Sequence, residues 1–258
     1  MLKAVEAKGK AVTSADIAEQ WVALIPMAWS AEDIAIKNLK LGIFPPESGF
    51  NGNPYREWIG AQMRGAICGM LYPGKPKKAA ELAFTDGQIS HHNNGILGEI
   101  FNAVMTGLAY VINNMREIVE KAVALIPKDS EYYSVISFAL EQCRTHEDWE
   151  SAWRVCEKHF EKYNWIHAYP NAAAEIIALW FGNGDFDEIM HICAMEGYDA
   201  DCNLAQIGTI AAIASEATLA AHWTEPIGDT LNTYMRGVDA MSIHFLGEET
   251  VSAARLFI

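Results

Sequence analysis

The sequence predicts an all-α fold in a single compact multi-helix domain spanning residues 1–258. Nearly every periodic segment places apolar residues three or four positions apart, which is the spacing of one helix face. No segment alternates apolar and polar residues between turn signals, so no sheet is predicted. At 258 residues, of which 51% are hydrophobic, the chain is long enough to bury a sizeable core.

The first two predicted helices carry capping signals. In the segment 14–26, Ser14 is expected to cap the N-terminus ahead of the apolar stripe. The segment 30–42 repeats the pattern, with Ser30 and Asp33 spaced like a capping box. Further helices are predicted, in chain order, over 54–71, 76–84, 94–112, 114–125, 129–144, 147–162, 170–181, 185–195, 202–221 and 224–236.

Two irregular stretches interrupt the helical background. Residues 42–58 are rich in Pro, Gly and Asn, and residues 85–95 form a polar segment with the adjacent histidines His91 and His92. Binding residues concentrate on loops that a rigid scaffold holds in place, so both stretches are candidate walls of a site. The alternative is that both are ordinary connections between helices.

Composition excludes some classes of partner. The net charge of −14 argues against nucleic acid, because phosphate contacts need a basic face. The most apolar run, 204–221, is interrupted by Gln206, Ser215 and Glu216, so it predicts a core helix and no membrane span. The five cysteines form no C-x-x-C pair and the N-terminus is unlike a signal peptide, so we expect reduced thiols and a cytoplasmic protein.

The stretch EGYDADCNLAQIGTIAAI, residues 196–213, places Asp199 and Asp201 two positions apart behind Gly197. Side chains at i and i+2 of a helix point about 200° apart, so the two carboxylates converge only in a turn, which the glycine can supply. Converging carboxylates suit a hard cation such as Mg²⁺, Mn²⁺ or Ca²⁺. The alternative is that one of them simply caps the helix that follows.

This stretch resembles the C-terminal metal motif of the ADP-ribosylglycohydrolase family, a G-x-D-x-D-x-N/A sequence leading into a small-residue helix. Two other blocks resemble the family in the expected order, one over residues 58–99 and one over residues 167–199. Within the first block, the residues that match are Gly60, Met63, Arg64, Ser90, His91, Gly95, Ile96 and Gly98. The resemblance therefore extends through almost the whole chain.

The resemblance implies an all-α hydrolase that cleaves the glycosidic bond at the anomeric carbon of ADP-ribose, on ADP-ribose or an ADP-ribosylated substrate. It implies a binuclear Mg²⁺ or Mn²⁺ centre, with Asp199 and Asp201 as catalytic residues and, together with Cys202, as metal ligands. Cys202 takes a position usually held by threonine, and a neutral thiol is a poor ligand for Mg²⁺. The substrate-binding residues implied are Gly60, Met63, Arg64, Ser90, His91, Asn94, Gly95 and Asn203.

For several of these residues a purely structural role is the alternative to a functional one. For Met63 the residue type favours a place in the core, and Arg64 is equally compatible with a structural ion pair. Asn203 is compatible with a cap interaction in the first helical turn. Tyr55, Trp58 and Trp165 are candidates for stacking on adenine or for ordinary packing.

The sequence departs from the family pattern at its N-terminus. The family's acidic T/S-D-D cluster and its preceding G-x-x-x-G-D segment do not occur, and MLKAVEAKGK resembles the helix that normally follows them. We therefore expect half of a metal site, weak ion binding, and either self-association or a second chain that completes the site. The alternative function is a non-catalytic ADP-ribose or nucleotide-binding module, or an inactive truncated homologue.

Overall fold

The computed structural model describes residues 1–216 and 218–257. Within these residues the chain forms fifteen α-helices, two short 3₁₀ turns and one two-stranded antiparallel hairpin. The helices are α1 (Leu2–Lys8), α2 (Ser14–Leu24), α3 (Ser30–Lys40), α4 (Glu47–Phe50), α5 (Ala66–Leu71), α6 (Pro76–Gly87), α7 (Asn94–Ala109), α8 (Met115–Leu125), α9 (Glu131–Thr145), α10 (Trp149–Phe160), α11 (Ala168–Gly182), α12 (Phe186–Glu196), α13 (Ala200–Ser215), α14 (Ala221–Thr224) and α15 (Ile243–Arg255). The 3₁₀ turns are Gly9–Ala11 and Gln62–Arg64, and the strands are β1 (Thr230–Met235) and β2 (Val238–Ser242).

Two helices, α7 and α11, form the centre of the molecule. Nearly every residue of each is buried, because both helices are apolar around most of their circumference and other helices surround them. The largest apolar cluster is built from α7 to α13. A second cluster joins α1, α5, α6 and α15 to the opposite side of α7, and a third packs α1, α2 and α3 together. The prediction of an all-α fold is confirmed.

Most of the predicted helices are present, with changes at their ends. Thr13, and not Ser14, caps α2, and it forms a reciprocal capping box with Asp16. Ser14 instead donates from its hydroxyl to the carbonyl of Thr85 at 2.6 Å. The predicted box of Ser30 and Asp33 does not form, since α3 begins without a side-chain cap hydrogen bond.

Two predicted helices are wrong over much of their length. Of the span 54–71, only the turn Gln62–Arg64 and α5 are helical, because the Pro- and Gly-rich segment before them forms turns. The span 224–236 contains β1, so the prediction that no sheet exists is also wrong. The predicted helix over 202–221 corresponds to α13, which ends at Ser215, and Ala217 lies outside the described residues.

The hairpin is short and docks on one helix end. Thr230 pairs with Ser242 and Met235 with Val238, with an irregularity between them. At its tip, the Arg236 guanidinium donates to the carbonyls of Val22 and Ala23, each at 3.0 Å. These are carbonyls of the last turn of α2, which have no partner inside the helix.

An apolar groove of ≈ 590 Å³ lies where the hairpin and α15 meet α1 and α2. Leu24, Leu231, Met235 and Phe245 are among its lining residues. The expectation that the chain self-associates stays a prediction, which light scattering over a wide concentration range tests. Among the helices of the described residues, none combines the length and apolarity needed to cross a membrane.

Candidate functional site

The turn between α12 and α13 brings the two predicted metal ligands together. Gly197 and Tyr198 both have positive φ angles, 76° and 58°, and this reverses the chain before α13 begins. The left-handed conformation is unfavourable for a tyrosine, and the Tyr198 ring packs edge-on against Trp153 at 5.4 Å. Asp199 is the N-cap residue of α13, and Asp201 lies in its first turn.

The side chains of Asp199, Asp201 and Cys202 form one cluster. Their candidate ligand atoms all lie within 4.8 Å of one another. Asp199 is buried, with 8% of its surface exposed, whereas Asp201 is exposed and Cys202 lies between these extremes. The Asp199 carboxyl makes no cap hydrogen bond to α13, so capping alone does not account for its position.

Burial and mutual repulsion shift the pKa values of the groups in the cluster. Burial raises the pKa of Asp199; a hydrogen bond with Cys202 opposes this effect, and the neighbouring Asp201 adds to it. Burial, together with Asp199, also raises the pKa of the Cys202 thiol, which therefore stays neutral at physiological pH. A divalent ion placed among these groups would offset the repulsion between the carboxylates.

The donor set fits a divalent ion in part. Two carboxylates are the ligands that a hard ion such as Mg²⁺ or Mn²⁺ prefers, and such ions usually keep several waters. Within the described residues, no other group of three His, Cys, Asp or Glu side chains has comparable spacing. Asp185 lies at the opposite end of α12 from the Asp199 turn, where it caps the helix through the backbone N–H of Glu188. Asp199 and Asp201 thus fit one hard ion better than they fit two.

Asn171 of α11 fixes the geometry of the turn, and sequence reasoning missed it. Its Oδ1 accepts hydrogen bonds from the backbone N–H of Asp199 at 3.1 Å and from Nδ2 of Asn203 at 2.8 Å. Its Nδ2 donates to the carbonyls of Trp165 and His167, each at 2.8 Å. The one signal in the sequence was an asparagine inside a helix that is mainly apolar. Asn203, predicted to bind substrate, is fully buried and supports the turn.

Met63 lies beside the cluster. Its Sδ is 3.4 Å from the Sγ of Cys202, and 42% of its surface is exposed. The alternative that Met63 belongs to the core is therefore not supported. Residues 57–59 pair with residues 166–168, and this pairing holds the turn Gln62–Arg64 close to the start of α11.

Ser90 and His91 were expected to contact substrate. Both are fully buried, so neither side chain reaches the protein surface. The Nε2 of His91 accepts a hydrogen bond from the backbone N–H of Ala61 at 3.2 Å, and its Nδ1 lies 2.8 Å from the Ser90 hydroxyl. Burial, and next the charge of Arg64, holds the pKa of His91 well below its usual range. The ring is therefore neutral with its proton on Nδ1, and it fixes the position of the segment that carries Met63.

Every nitrogen of the Arg64 guanidinium group has a partner within the protein. Arg64 is therefore a structural ion-pair residue, as the alternative to substrate binding predicted. The group also lies over the Trp21 ring, 4.9 Å from the centroid. Its polar contacts are Asp86 Oδ2 at 2.6 Å, Glu32 Oε1 at 2.9 Å, Ser90 Oγ at 3.0 Å, the Gly60 carbonyl at 3.1 Å and Glu99 Oε2 at 3.5 Å. Arg64 also keeps the pKa of Asp86 low against the effect of burial, whereas burial and the charge of Asp86 raise the pKa of Glu99 well above its usual range.

The remaining predicted residues, Gly60, Asn94 and Gly95, lie where neighbouring segments of the chain pack closely. A Cβ added at Gly95 would lie 2.2 Å from the carbonyl oxygen of Arg56, and one at Gly60 would lie 2.2 Å from a carboxylate oxygen of Glu32. Asn94 is buried and donates to Glu57 from both its backbone and its side chain. Asn94 and Gly95 join α7 to the 53–60 segment, and Gly60 packs this segment against Glu32 of α3.

A buried polar network behind the cluster was also missed. Gln62 donates from Nε2 to Oε1 of Glu175 at 2.9 Å, and its Oε1 accepts from the Tyr132 hydroxyl at 2.8 Å. Gln206 of α13 donates to the carbonyl of Cys202 at 3.1 Å. Burial raises the pKa of Glu175 to about 8, although hydrogen bonds from Gln62 and Gln206 act in the opposite direction. A protonated carboxyl therefore lies behind the acidic turn at neutral pH.

The structure thus gathers Asp199, Asp201, Cys202, Asn203 and Met63 into one site. The family model for ADP-ribosylglycohydrolase matches residues 2–250. The chain belongs to the ADP-ribosylglycohydrolase family. No match was found among curated proteins or among solved structures.

Proposed function

We propose that this chain hydrolyses the glycosidic bond at the anomeric carbon of ADP-ribose or of an ADP-ribosylated substrate. Asp199 and Asp201 hold a divalent ion, Mg²⁺ or Mn²⁺, at the start of α13. The observation that carries the proposal is the convergence of their ligand atoms, with that of Cys202, to within 4.8 Å of one another. Membership of the family supports the class of reaction.

The two aspartates have different environments and therefore different parts in the reaction. Asp199 is buried and held through its backbone by Asn171, so it provides a fixed ligand. Asp201 is exposed and has an oxygen that can accept a proton from an attacking water. When bound, the ion would act as a Lewis acid and orient the ribose and the water. The neutral thiol of Cys202 contributes little to holding a hard ion.

The substrate meets the protein at the exposed groups around the cluster. Met63 offers an apolar contact beside Cys202. Trp165, which is 54% exposed, lies on the loop whose carbonyl is bonded to Asn171, and its ring is a platform for adenine. The buried residues Ser90 and His91 and the partly buried Arg64 support this surface from behind without touching the substrate.

The test is release of ADP-ribose from an ADP-ribosylated substrate by the purified chain, with and without Mn²⁺ or Mg²⁺. We expect ion-dependent release by the wild type and loss of release in Asp201→Ala. Asp129→Ala serves as the control, since Asp129 is an exposed carboxylate outside the cluster. No release by the wild type, with ADP-ribose nevertheless bound, would contradict hydrolysis and favour a binding module.

A further inference from the structure

The apolar groove between the hairpin, α15, α1 and α2 is separate from the candidate metal site. Its volume is ≈ 590 Å³, and none of its lining residues belongs to the cluster at the start of α13. Its walls include Trp21 and Leu24 of α2, Leu231 of β1 and Phe245 of α15. Grooves of this kind bind an amphipathic helix of another chain, which lays its apolar face into them.

The apolar surface continues outside the groove. Phe245 and Tyr234 line the groove and yet have 52% and 56% of their surface exposed. Trp29, which is 64% exposed, packs against Tyr234 with the ring centroids 5.9 Å apart. Contiguous exposed apolar side chains mark interaction surfaces, whereas single ones are ordinary. A small molecule inside the groove would leave these rings in water, so the extent of the surface favours a macromolecular partner.

The charged residues that line the groove indicate the charge of that partner. Lys3 and Glu6 pair with each other at 3.1 Å, so their charges cancel. Glu249 of α15 is half-buried in the wall of the groove, and within the described residues its carboxylate has neither an ion pair nor a hydrogen bond. A carboxylate that is partly removed from water beside apolar side chains is stabilised by a cation of the partner.

The surroundings of the groove are acidic as well. Between residues 221 and 254 the only lysine or arginine is Arg236, and its guanidinium donates to carbonyls at the end of α2. The acidic residues of the same segment are Glu225, Asp229, Asp239, Glu248 and Glu249. A second copy of the chain, with a net charge of −14, would bring the same acidic surface to the groove. Charge therefore favours a basic partner over a second copy.

We propose that this groove binds an amphipathic helix of a partner protein. The apolar face of that helix fills the groove against Leu231 and Phe245, and lysine or arginine side chains at the edge of the face pair with Glu249. The proposal does not depend on the proposed function, because the groove and the candidate metal site share no residue. Either of them can therefore fail while the other stands.

The test measures the fluorescence anisotropy of labelled model peptides titrated with the full chain. One peptide of leucine and lysine is ordered so that its helix has a single apolar face, and a second peptide of the same composition is scrambled and has no such face. Charge attracts both peptides equally, so we expect the ordered peptide to bind about tenfold more tightly or better. A third peptide, with glutamate in place of lysine, keeps the apolar face and should bind more weakly than the first.

Matched variants show whether the peptide occupies the groove. Phe245→Ala should weaken binding of the ordered peptide about tenfold or more. Phe84→Ala should not, because Phe84 is also 52% exposed but lies on α6, outside the groove. Glu249→Gln should weaken binding about two- to fivefold at low salt and less at high salt. Glu248→Gln removes the same charge one residue away, outside the groove, and should have a smaller effect.

Equal affinity for the ordered and the scrambled peptides, or equal affinity in Phe245→Ala and Phe84→Ala, overturns the proposal. Concentration-dependent dimerisation that Phe245→Ala abolishes also overturns it, because a second copy would then fill the groove. Binding of a hydrophobic dye that Phe245→Ala abolishes, with no binding of the ordered peptide, would assign the groove to a small apolar molecule instead. Circular dichroism identifies a variant that fails to fold. If Phe245→Ala fails, the comparison of Glu249→Gln with Glu248→Gln decides.

Discussion

The backbone N–H of Asp199 donates to the side-chain oxygen of Asn171, although 28 residues separate them in the sequence. The same oxygen accepts a second hydrogen bond from Asn203, and the Asn171 amide donates to two carbonyls at the start of α11. One buried asparagine thus joins the loop before α11, the turn before α13 and the first turn of α13. The position of the candidate metal ligand depends on it.

Asn171→Ala is expected to lower divalent-ion affinity by about 10- to 100-fold, the range found when a group that orients a metal ligand is removed. The substitution also leaves buried partners without hydrogen bonds, at a cost of about 1–3 kcal/mol in the free energy of unfolding. Asn53→Ala is the matched control, because Asn53 is a buried asparagine that donates to three carbonyls outside the cluster. It should lose stability and keep ion affinity. Equal ion affinity in Asn171→Ala and the wild type would show that Asn171 contributes to stability but not to ion binding.

Arg64→Lys is expected to destabilise the fold without changing ion affinity. A lysine cannot reproduce the planar set of donors that reaches Asp86, Glu32 and Ser90 together, so buried acceptors lose their partners. The loss should be about 1–3 kcal/mol in urea unfolding. A raised KM for an ADP-ribosylated substrate with unchanged stability would instead make Arg64 a substrate-binding residue.

The raised pKa of Glu175 should make the stability of the protein depend on pH. Its pKa is raised to about 8 from an ordinary value of 4.5, so between these values the native state holds a proton that the unfolded chain has released. The free energy of unfolding therefore falls as pH rises through this window and levels off above it. Glu175→Gln mimics the neutral acid and should remove this contribution, which makes the variant less sensitive to pH than the wild type.

Urea unfolding at about pH 5 and about pH 9 measures this effect. The quantity compared between the two pH values is the free energy of unfolding of Glu175→Gln minus that of the wild type. Relative to the wild type, Glu175→Gln should be more stable at the higher pH than at the lower. Glu150→Gln, at an exposed position, provides the control and should track the wild type. Parallel pH profiles for Glu175→Gln and the wild type would mean that Glu175 titrates normally in the folded protein.

Trp165→Ala is expected to weaken ADP-ribose binding by about 1–3 kcal/mol, the usual value of stacking a base on an aromatic side chain. Stability should change little because the side chain is 54% exposed. Trp29→Ala is the matched control, since Trp29 is 64% exposed and packs on Tyr234 of the hairpin instead. Equal ADP-ribose affinity in both variants and the wild type would remove Trp165 from the binding surface.

Much of the fold was predictable because apolar residues at helical spacing mark the face of each helix that is buried. The α-helices around the core carry apolar stripes at the right spacing, and the turn at Gly197 follows from the need for two carboxylates to converge. The hairpin escaped prediction because its strands are largely exposed, so Thr230–Met235 shows no alternation of apolar and polar residues. Its main sequence signal is the turn at Arg236 and Gly237.

The site was predictable only where one short segment contains it. Asp199, Asp201 and Cys202 lie within four residues, and a motif can identify them together. The support from Asn171 and the contact with Met63 join residues that are far apart in the sequence, and no local pattern reports such pairs. The family resemblance implied that His91 binds substrate, whereas in the fold its ring points inward and bonds to Ser90 and to the backbone of Ala61.

The most direct test of the central claim is a crystal structure of the chain with Mn²⁺ and ADP-ribose, in which anomalous scattering locates the ion. The account predicts an Mn²⁺ peak between Asp199 and Asp201, with the terminal ribose beside it and the adenine towards Trp165. In Asp201→Asn crystals grown the same way, the peak should weaken or disappear. An Mn²⁺ ion or an ADP-ribose molecule bound on a face of the protein away from the start of α13 would contradict the account.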